Sequence, residues 1–473
     1  MRPPRPGTGL PLRHILPCVL LLAACATTDA TVDTDLAAPL RRFDTHAVQV
    51  AALVVDLDTG EVLLEREADR LLRPASTQKI LTTAAACRRA PDGAVLTRLV
   101  ADTVPEGHVT LFGDGDPFLG ADELRALARE LHAQGLRSVR DGITVVDPLA
   151  FGPRFGEGWM WDDEPAAFMP PLTAAPVDSA CVTVEVTGQG ANALAVQLLP
   201  TAGDLEVTAQ PGDGALAVSR GRYRDPARID VTGRVRAGET IRRRLSVPEP
   251  ARFTGHALAA ALAEAGIGDG SLPVRVVAEA AFDPSSAALA SHRRPLAEVV
   301  HKTNKDSDNL GAELLLRRLP QLVDPAAPMG ADAASRGLAE LDRDLQQLGF
   351  DPAQFRLADG SGVSHYTLLS ARLLVAELVD MHRRGGRTFE VFRQSLPVAG
   401  EDGTLSNRMR DTEAHGRVRA KTGTISGVSN LAGYVDTASG RHLAFAILVQ
   451  NFVGSSTPWR SVQDDLCVRL AEL

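Results

Sequence analysis

The sequence predicts an α+β fold, in which an antiparallel sheet with helices on its faces is interrupted by a large insertion. Strand patterns occur near both ends of the chain, at Val48 to Val55 and at Leu443 to Asn451, and they flank a helical middle. Between Ala180 and Val247 the sequence consists almost wholly of short runs typical of strands. A chain of 473 residues is too long for one ordinary core and indicates two or three domains.

Local patterns predict the individual elements. Asp58-Thr59-Gly60 is a turn signal between the first strand and a returning strand at Val62 to Glu65. Pro74-Ala75-Ser76 begins an apolar helix that runs through a cluster of alanines. The remaining elements are predicted as a helix at Phe253 to Ala265, strands at Val418 to Ala420 and Leu431 to Val435, and a closing helix through Val462, Leu466, Leu470 and Leu473.

The composition argues against some classes of partner and cofactor. The chain has 50 Lys and Arg against 59 Asp and Glu, a net charge of −9, and no basic stripe interleaved with aromatic residues. Because phosphate binding needs clustered cations, the sequence predicts no nucleic-acid partner. No Cys/His spacing suits zinc and no His-Glu-x-x-His occurs, so we expect no metal and no other cofactor.

The N-terminal segment has the features of an export signal. Arg2, Arg5 and Arg13 precede an apolar run from Ile15 to Ala24, which is too short to cross a bilayer as a helix. The run ends in Leu-Ala-Ala-Cys25, which resembles a bacterial lipobox. That resemblance implies a signal peptide at residues 1–24, cleavage before Cys25 and lipidation of this cysteine.

Lipidation would anchor the exported protein to a membrane, because each buried methylene contributes about 0.8 kcal/mol. Residues 25–37 are rich in Thr, Asp and Ala and are predicted to form a flexible tether. Ala26 rather than Asp follows the cysteine, which favours the outer membrane in a cell that has two. The predicted location is therefore the periplasm or cell surface. A plain secretory signal with an incidental cysteine is the alternative.

Export also places the chain where disulfides can form. Cys18 would be removed with the signal and Cys25 would be lipidated, which leaves Cys87, Cys181 and Cys467. An odd number means that at least one thiol is free, and the sequence leaves the pairing open.

Three short motifs carry the chemistry of the chain. They are of the Ser-x-x-Lys, Ser-x-Asn and Lys-Thr-Gly types found in penicillin-binding proteins and serine β-lactamases. Each is weak alone, but all three in the right order are a far rarer coincidence. Ser76 and Ser307 are about half the chain apart, so one shared site requires a large insertion between them. In chain order the motifs are Ser76-Thr77-Gln78-Lys79, Ser307-Asp308-Asn309 and Lys421-Thr422-Gly423-Thr424.

The first motif predicts a nucleophile with its base. Residues three apart on a helix share a face, so Lys79 can reach the Ser76 hydroxyl. A serine hydroxyl is a poor nucleophile until a neighbour takes its proton, and a lysine can do so when burial and a nearby cation lower its pKa. Lys421 would be that cation. The backbone N–H of Ser76, at a helix N-terminus, would form half of an oxyanion hole.

The other two motifs predict substrate contacts. Gly423 would allow a substrate backbone to approach an edge strand, and Thr422, Thr424 and the Lys421 charge would hold a terminal carboxylate. The N–H of Thr424 would complete the oxyanion hole. Ser307 is predicted to relay a proton to the leaving amine, and Asn309 to bind a substrate amide. Ser307 and Asn309 are two apart, which suits a loop or helix start better than one helical face.

With these motifs the chain resembles the D-Ala-D-Ala carboxypeptidase/endopeptidase family of low-molecular-mass class C penicillin-binding proteins. The resemblance covers about Ala38 to the C-terminus. It rests on the three motifs in their wider context and on three further segments. These segments are Gly113-Asp-Gly-Asp-Pro117, Asp359-Gly-Ser-Gly-Val-Ser364 and Gly403-Thr-Leu405.

The resemblance implies a role for each site residue. Ser76 would be the acylated nucleophile, Lys79 its base and Ser307 the proton relay, while Asn309 contacts the acyl side. Lys421 and Thr422 would handle the carboxylate. Trp159-x-Trp161-Asp162-Asp163 matches a segment where some family members bind the amine of a diaminopimelate side chain. Asp163 is taken as that residue, with Asp162 an equal candidate by charge.

The resemblance also implies a domain organisation. A serine β-lactamase/transpeptidase-like domain would be split by two inserted, mostly β domains, the second nested in the first. The expected parts are residues 38–98 and 293–473 for the transpeptidase-like domain, 99–183 and 249–292 for the inserted domain II, and 184–248 for the nested domain III.

We therefore predict a serine-type D-Ala-D-Ala carboxypeptidase or DD-endopeptidase that acts on peptidoglycan stem peptides and is acylated by β-lactams such as penicillin. Ser76 would form the acyl-enzyme, which water hydrolyses. One alternative is a β-lactamase or esterase of the same fold, although the large insertion argues against it. The other is a non-catalytic wall-binding lipoprotein, which would have no need of the five motif side chains.

Overall fold

The computed structural model describes residues 36–43, 48–190, 193–201, 203–222, 225–283 and 285–473. The predicted signal peptide and Cys25 lie outside these residues.

The strands are β1 (Gln49–Asp56), β2 (Val62–Arg66), β3 (Ala94–Ala101), β4 (Glu106–Phe112), β5 (Ser138–Val146), β6 (Cys181–Gly188), β7 (Leu194–Leu199), β8 (Glu206–Ala215), β9 (Ala217–Arg220), β10 (Arg228–Arg234), β11 (Thr240–Ser246), β12 (Val274–Val277), β13 (Ala288–Pro295), β14 (Val418–Ile425), β15 (Val428–Asp436) and β16 (His442–Gln450). The α-helices are α1 (Lys79–Arg89), α2 (Ala121–Ala133), α3 (Pro250–Glu264), α4 (Leu296–Lys305), α5 (Asn309–Val323), α6 (Ala333–Gln347), α7 (Ala371–Arg384), α8 (Gly386–Ser395) and α9 (Thr457–Glu472).

The sheet that carries the first and third motifs is built from both ends of the chain. Its strand order is β14-β15-β16-β1-β2, and all neighbours are antiparallel. β1 pairs along its length with β16, with Gln49 opposite Gln450. Apolar side chains of α1, α5 and α7 form the core on one face, and α9 contributes to the core on the other. This arrangement agrees with the α+β class that the terminal strands predict.

The insertion forms further sheets. The larger has the order β12-β5-β4-β3-β13, and α2 and α3 contribute their apolar faces to its core. Two three-stranded sheets follow, with the orders β8-β10-β9 and β11-β6-β7. The helix α3 was expected from its sequence, whereas α2 was not, so the insertion is less purely β than predicted. We propose that these sheets correspond to the predicted domains II and III.

The predicted domain boundaries fall within strands. The boundary at residue 98 lies in β3, that at 183 in β6 and that at 292 in β13. Alternation of apolar residues marks a strand, but it does not indicate which sheet the strand joins. Among the described residues, no helix has the length and apolar character needed to cross a bilayer.

Candidate active site

Ser76 lies in a short 3₁₀ turn, Ala75–Gln78, that leads into α1. Ala75 has a φ of 46°, in the left-handed region that favours glycine, so the turn is held in a strained conformation by its surroundings. One restraint is Asn430 on β15, whose Nδ2 donates to the carbonyl oxygen of Pro74 at 2.8 Å. The turn therefore presents Ser76 at a fixed place beside the sheet.

Gly423 allows this close approach of the turn to β14. A Cβ atom at position 423 would lie 2.6 Å from the oxygen of Pro74 and 3.2 Å from the nitrogen of Ser76. The sequence suggested that Gly423 makes room for a substrate backbone. In the structure, the backbone that needs the space belongs to the protein itself, which explains the glycine without a substrate.

Lys79 is fully buried and contacts Ser76 directly. Its Nζ lies 3.0 Å from Ser76 Oγ, 2.6 Å from Asn309 Oδ1 and 2.8 Å from the oxygen of Ser361. A neutral amine has two N–H donors and one lone pair. The two donors fit the Asn309 and Ser361 oxygens, which leaves the lone pair for the hydroxyl proton of Ser76. The geometry is thus that of a general base and its nucleophile.

Burial lowers the pKa of Lys79 to about 8, against the opposing charges of the Asp359, Asp308 and Glu313 carboxylates. Burial, followed by the charge of Lys79, also lowers the pKa of Lys421 well below its ordinary value. Two buried amines that repel each other lose a proton more readily than either would alone. A pKa of about 8 leaves a useful fraction of Lys79 neutral near neutral pH, and this fraction can act as a base.

The identity of these cations supports that role. The four lysines of the chain are Lys79, Lys302, Lys305 and Lys421, and its other basic side chains besides histidine are arginines. Arginine stays charged in proteins, whereas a buried lysine changes its pKa readily. Lysine is thus kept at the two motif positions where a base requires a group that can lose its proton.

We expect acylation to follow the titration of this pair. Below a pH of about 8 the neutral fraction of Lys79 rises tenfold per pH unit, and above it the fraction levels off. The second-order rate constant for covalent attachment of penicillin, measured from about pH 6 to 9, should rise and then reach a plateau. A rate that does not change across this range would contradict a base with a lowered pKa.

Ser307 is positioned by its own backbone and by Lys421. Its φ of 58° is left-handed, and its Oγ accepts a hydrogen bond of 2.9 Å from Lys421 Nζ, which also donates to the oxygen of Thr422 at 3.0 Å. The next residue, Asp308, caps α5 by accepting from the Gly311 N–H at 2.7 Å. The cap fixes the loop, so that Ser307 and its neighbours keep their orientation.

Asn309 connects Lys79 to the insertion. Its Oδ1 accepts from Lys79, and its Nδ2 donates to the backbone oxygen of Phe168 at 2.6 Å. The sequence predicted only a substrate contact for this side chain. In the structure the amide also fixes the Lys79 amine, and its second N–H is the group that can serve a substrate.

A cavity of about 250 Å³ lies beside the nucleophile. It brings together residues of all three motifs with others that sequence reasoning missed. Among the missed residues, Arg408 is held by Asp464, whose Oδ1 accepts from Nε at 2.9 Å and from Nη2 at 2.6 Å. Thr404 accepts from Thr422 Oγ1 at 2.9 Å. The lining residues are Ser76, Ser307, Thr404, Arg408, Thr422, Thr424 and Arg460.

A buried ion pair, Glu313 and Arg317, holds the backbone segment that contacts Lys79. Glu313 Oε1 accepts from the N–H groups of Gly360 and Ser361, at 2.8 and 3.0 Å, and its Oε2 accepts from Arg317 Nη1 at 2.6 Å. These bonds hold the backbone whose Ser361 oxygen contacts Lys79. Sequence reasoning noted the segment that starts at Asp359 but gave it no role.

Asp163 does not line the cavity beside Ser76. It lies in the 3₁₀ helix Trp161–Asp163 of the insertion, where it is half-buried while Asp162 is exposed. Burial and the neighbouring Asp162 raise the pKa of its carboxyl, and the charge of His365 opposes them. Asp163 and Asp162 therefore differ in burial, and Asp163 is the more buried of the two.

The three cysteines lie outside the cavity beside Ser76. Cys87, Cys181 and Cys467 are buried and free, and burial raises the pKa of each. Within the described part of the chain, no cluster of His, Cys, Asp and Glu is arranged to hold a metal ion.

Comparison with known proteins gives a consistent result. The sequence profile of the D-Ala-D-Ala carboxypeptidase 3 (S13) family matches residues 33–473. A D-alanyl-D-alanine carboxypeptidase of Actinomadura sp. is 34% identical, over 97% of this chain and 89% of that protein. The carboxypeptidase DacB of Mycolicibacterium smegmatis is 29% identical, over 91% of this chain and 82% of that protein. Crystalline penicillin binding protein 4 from Haemophilus influenzae superposes with a TM-score of 0.76 at 22% identity, over 93% of this chain and 99% of that one.

Proposed function

Because the chain belongs to the D-Ala-D-Ala carboxypeptidase 3 (S13) family, we propose that Ser76 is its acylated nucleophile and Lys79 the base that activates Ser76. The protein is a serine-type carboxypeptidase and endopeptidase. The observation that carries the proposal is the 3.0 Å contact between Lys79 Nζ and Ser76 Oγ. It has a fully buried amine of lowered pKa at one end and a serine hydroxyl beside a cavity at the other.

The proposed acylation follows from these contacts. Lys79 takes the Ser76 proton while Oγ attacks the carbonyl carbon between two D-alanines of a stem peptide. The backbone N–H groups of Ser76 and Thr424 stabilise the oxyanion. The C–N bond breaks as Ser307, hydrogen-bonded to Lys421, passes a proton to the leaving amine. Water then attacks the ester with the same base, which releases the shortened peptide and restores Ser76.

The cavity beside Ser76 fits the leaving group, which carries a carboxylate. Thr404, Thr422 and Thr424 line it with hydroxyl groups, and Arg408 and Arg460 supply positive charge. Asp464 and Gln463 hold Arg408 in place, so the guanidinium is preorganised for a carboxylate. We further propose that Asp163, which lies on the insertion, binds the free amine of a diamino acid in the stem peptide.

The decisive experiment is intact mass spectrometry of the soluble form, from Ala26 onward, after incubation with a penicillin. We expect one stable adduct of the mass of the drug, on the peptide that contains Ser76. Unchanged penicillin and unmodified protein would contradict the proposal. Rapid hydrolysis of the drug without an adduct would indicate a β-lactamase instead.

We also propose that the protein is exported and lipid-anchored through Cys25, as its lipobox-like sequence implies. The wild type should partition into the detergent phase of a cell extract, and the Cys25→Ser variant into the aqueous phase, because the acyl chains supply the membrane affinity. Cys87→Ser is the matched control, since that thiol is buried and carries no lipid. Equal partitioning of wild type and Cys25→Ser would contradict the anchor.

A further inference from the structure

The exposed aromatic side chains of this protein gather in one region. Aromatic residues make up 4% of the chain, and about half of them are buried. Among the described residues, those that are about half exposed or more are Phe151 (78%), Trp161 (60%), Phe168 (51%) and Tyr366 (49%). Three of the four lie on the segment from residue 151 to 168. The fourth packs on it, since a Cβ at Gly158 would lie 2.8 Å from Cδ2 of Tyr366.

This segment is fixed to the catalytic residues at two points. Near its middle, Trp159 Nε1 donates to Asp359 Oδ2 at 3.0 Å, and the same oxygen accepts from Ser361 Oγ at 2.7 Å. The backbone oxygen of Ser361 in turn accepts from Lys79. At the far end, the oxygen of Phe168 accepts from Asn309. Trp161 lies between these two points along the chain, in a segment that is fixed at both of them to residues that contact Lys79 or its neighbours.

The other described aromatic side chains are buried or partly buried, so the exposure of several large rings on one segment sets this segment apart. Such patches mark binding surfaces, and a ring with two side-chain torsions loses little entropy when it binds. The neighbours are polar and charged. Arg356 lies 5.1 Å from the centre of the Tyr366 ring and 3.7 Å from a Glu157 carboxylate oxygen, and Asp162 is exposed next to Trp161. Flat rings beside charged hydrogen-bonding groups suit a ligand with apolar faces and a rim of hydroxyls.

We propose that Trp161 and Tyr366, here called the aromatic rim, bind sugar rings of the glycan strand to which the substrate peptide is attached. This inference rests on the proposed function, because it takes the stem peptide to occupy the Ser76 cavity. A stem peptide joins the scissile bond to the glycan through a few residues, and each residue spans at most about 3.5 Å. A peptide bound at Ser76 therefore keeps its own glycan close to the cleft. The C–H faces of the sugars stack on the rings, and their hydroxyls meet Glu157, Asp162 and Arg356.

The test compares two substrates that share the same scissile bond. One is a free pentapeptide that ends in D-Ala-D-Ala, and the other is the same peptide attached to its disaccharide. In Trp161→Ala and Tyr366→Ala we expect kcat/KM for the disaccharide-linked substrate to fall by roughly three- to tenfold each, mostly through KM. The free pentapeptide should be hydrolysed as by the wild type. Trp161→Phe, which keeps a ring, should retain most of the activity on the linked substrate.

Val453→Ala is the matched control, because Val453 is an apolar side chain that is fully exposed elsewhere on the surface. Two results would overturn the aromatic rim. In one, both alanine variants hydrolyse the linked substrate as fast as the wild type does. In the other, they lose the free pentapeptide to the same extent, which would make the rings peptide contacts. Failure of the proposed function is separate, since the wild type would then hydrolyse neither substrate.

Discussion

Ser76→Ala is expected to abolish covalent attachment of penicillin and to reduce the release of D-Ala by about 10⁴-fold or more. The reason is that the substitution removes the only atom proposed to form the ester, while the oxyanion donors and the cavity remain. The described contact of the hydroxyl is with Lys79, which keeps its two other acceptors. The measurement is D-Ala release from a pentapeptide, together with intact mass after incubation with penicillin.

Ser335→Ala is the matched control for this variant. Ser335 is an exposed serine on α6, where its Oγ donates to the backbone oxygen of Asp332, and it does not line the cavity beside Ser76. The two variants should unfold at temperatures close to that of the wild type. Substantial D-Ala release by Ser76→Ala, in a protein that is still folded, would refute the assignment of the nucleophile.

Lys79→Met should lower the rate of acylation by about 10³-fold, which is within the usual range for loss of a general base. Methionine has a similar length and no charge, so it fills the buried space without bringing in a hydrated group. Ser76 remains, and we therefore expect a slow adduct on prolonged incubation, in contrast to Ser76→Ala. The measurement is the second-order rate constant for attachment of penicillin.

Lys302→Met serves as the control for the loss of a lysine. Lys302 lies on α4, where its Nζ is 4.6 Å from the centre of the Phe118 ring, and it makes no described contact with Ser76. Its rate should stay within a fewfold of the wild-type rate. If Lys79→Met were acylated as fast as Lys302→Met, the proton of Ser76 would have to leave by another route.

The sequence was sufficient for the fold class and the family, since both rest on local patterns. Strand alternation at the two ends of the chain predicted the terminal sheet, and the three motifs carried the resemblance that the family profile now confirms. The motif residues were named from the three motifs, their order along the chain and the family resemblance they carry. The structure adds that Lys79 and Lys421 are fully buried, which is the source of their lowered pKa values.

Other residues of the site could not be found from the sequence, because their environment depends on the fold. Glu313 and Arg317 are four apart on a helix, a spacing that is common for solvated surface pairs. Here both are buried, and the pair holds the backbone beneath Lys79. Arg408 comes next to Ser76 only because α9 returns to hold it. The exposure of Trp161 is likewise a result of packing, since a tryptophan in sequence more often indicates a core.

The pairing of β1 with β16 has a consequence for when the site forms during synthesis of the chain. A chain is made from its N-terminus, so Ser76 emerges early, whereas β14, which carries Lys421, and β16, which flanks β1, are made last. Until then β1 has no partner on that side, and the cavity beside Ser76 lacks the side formed by Thr422 and Thr424. Reactivity is thus a property of the finished chain, and a nascent or C-terminally truncated chain has an incomplete site.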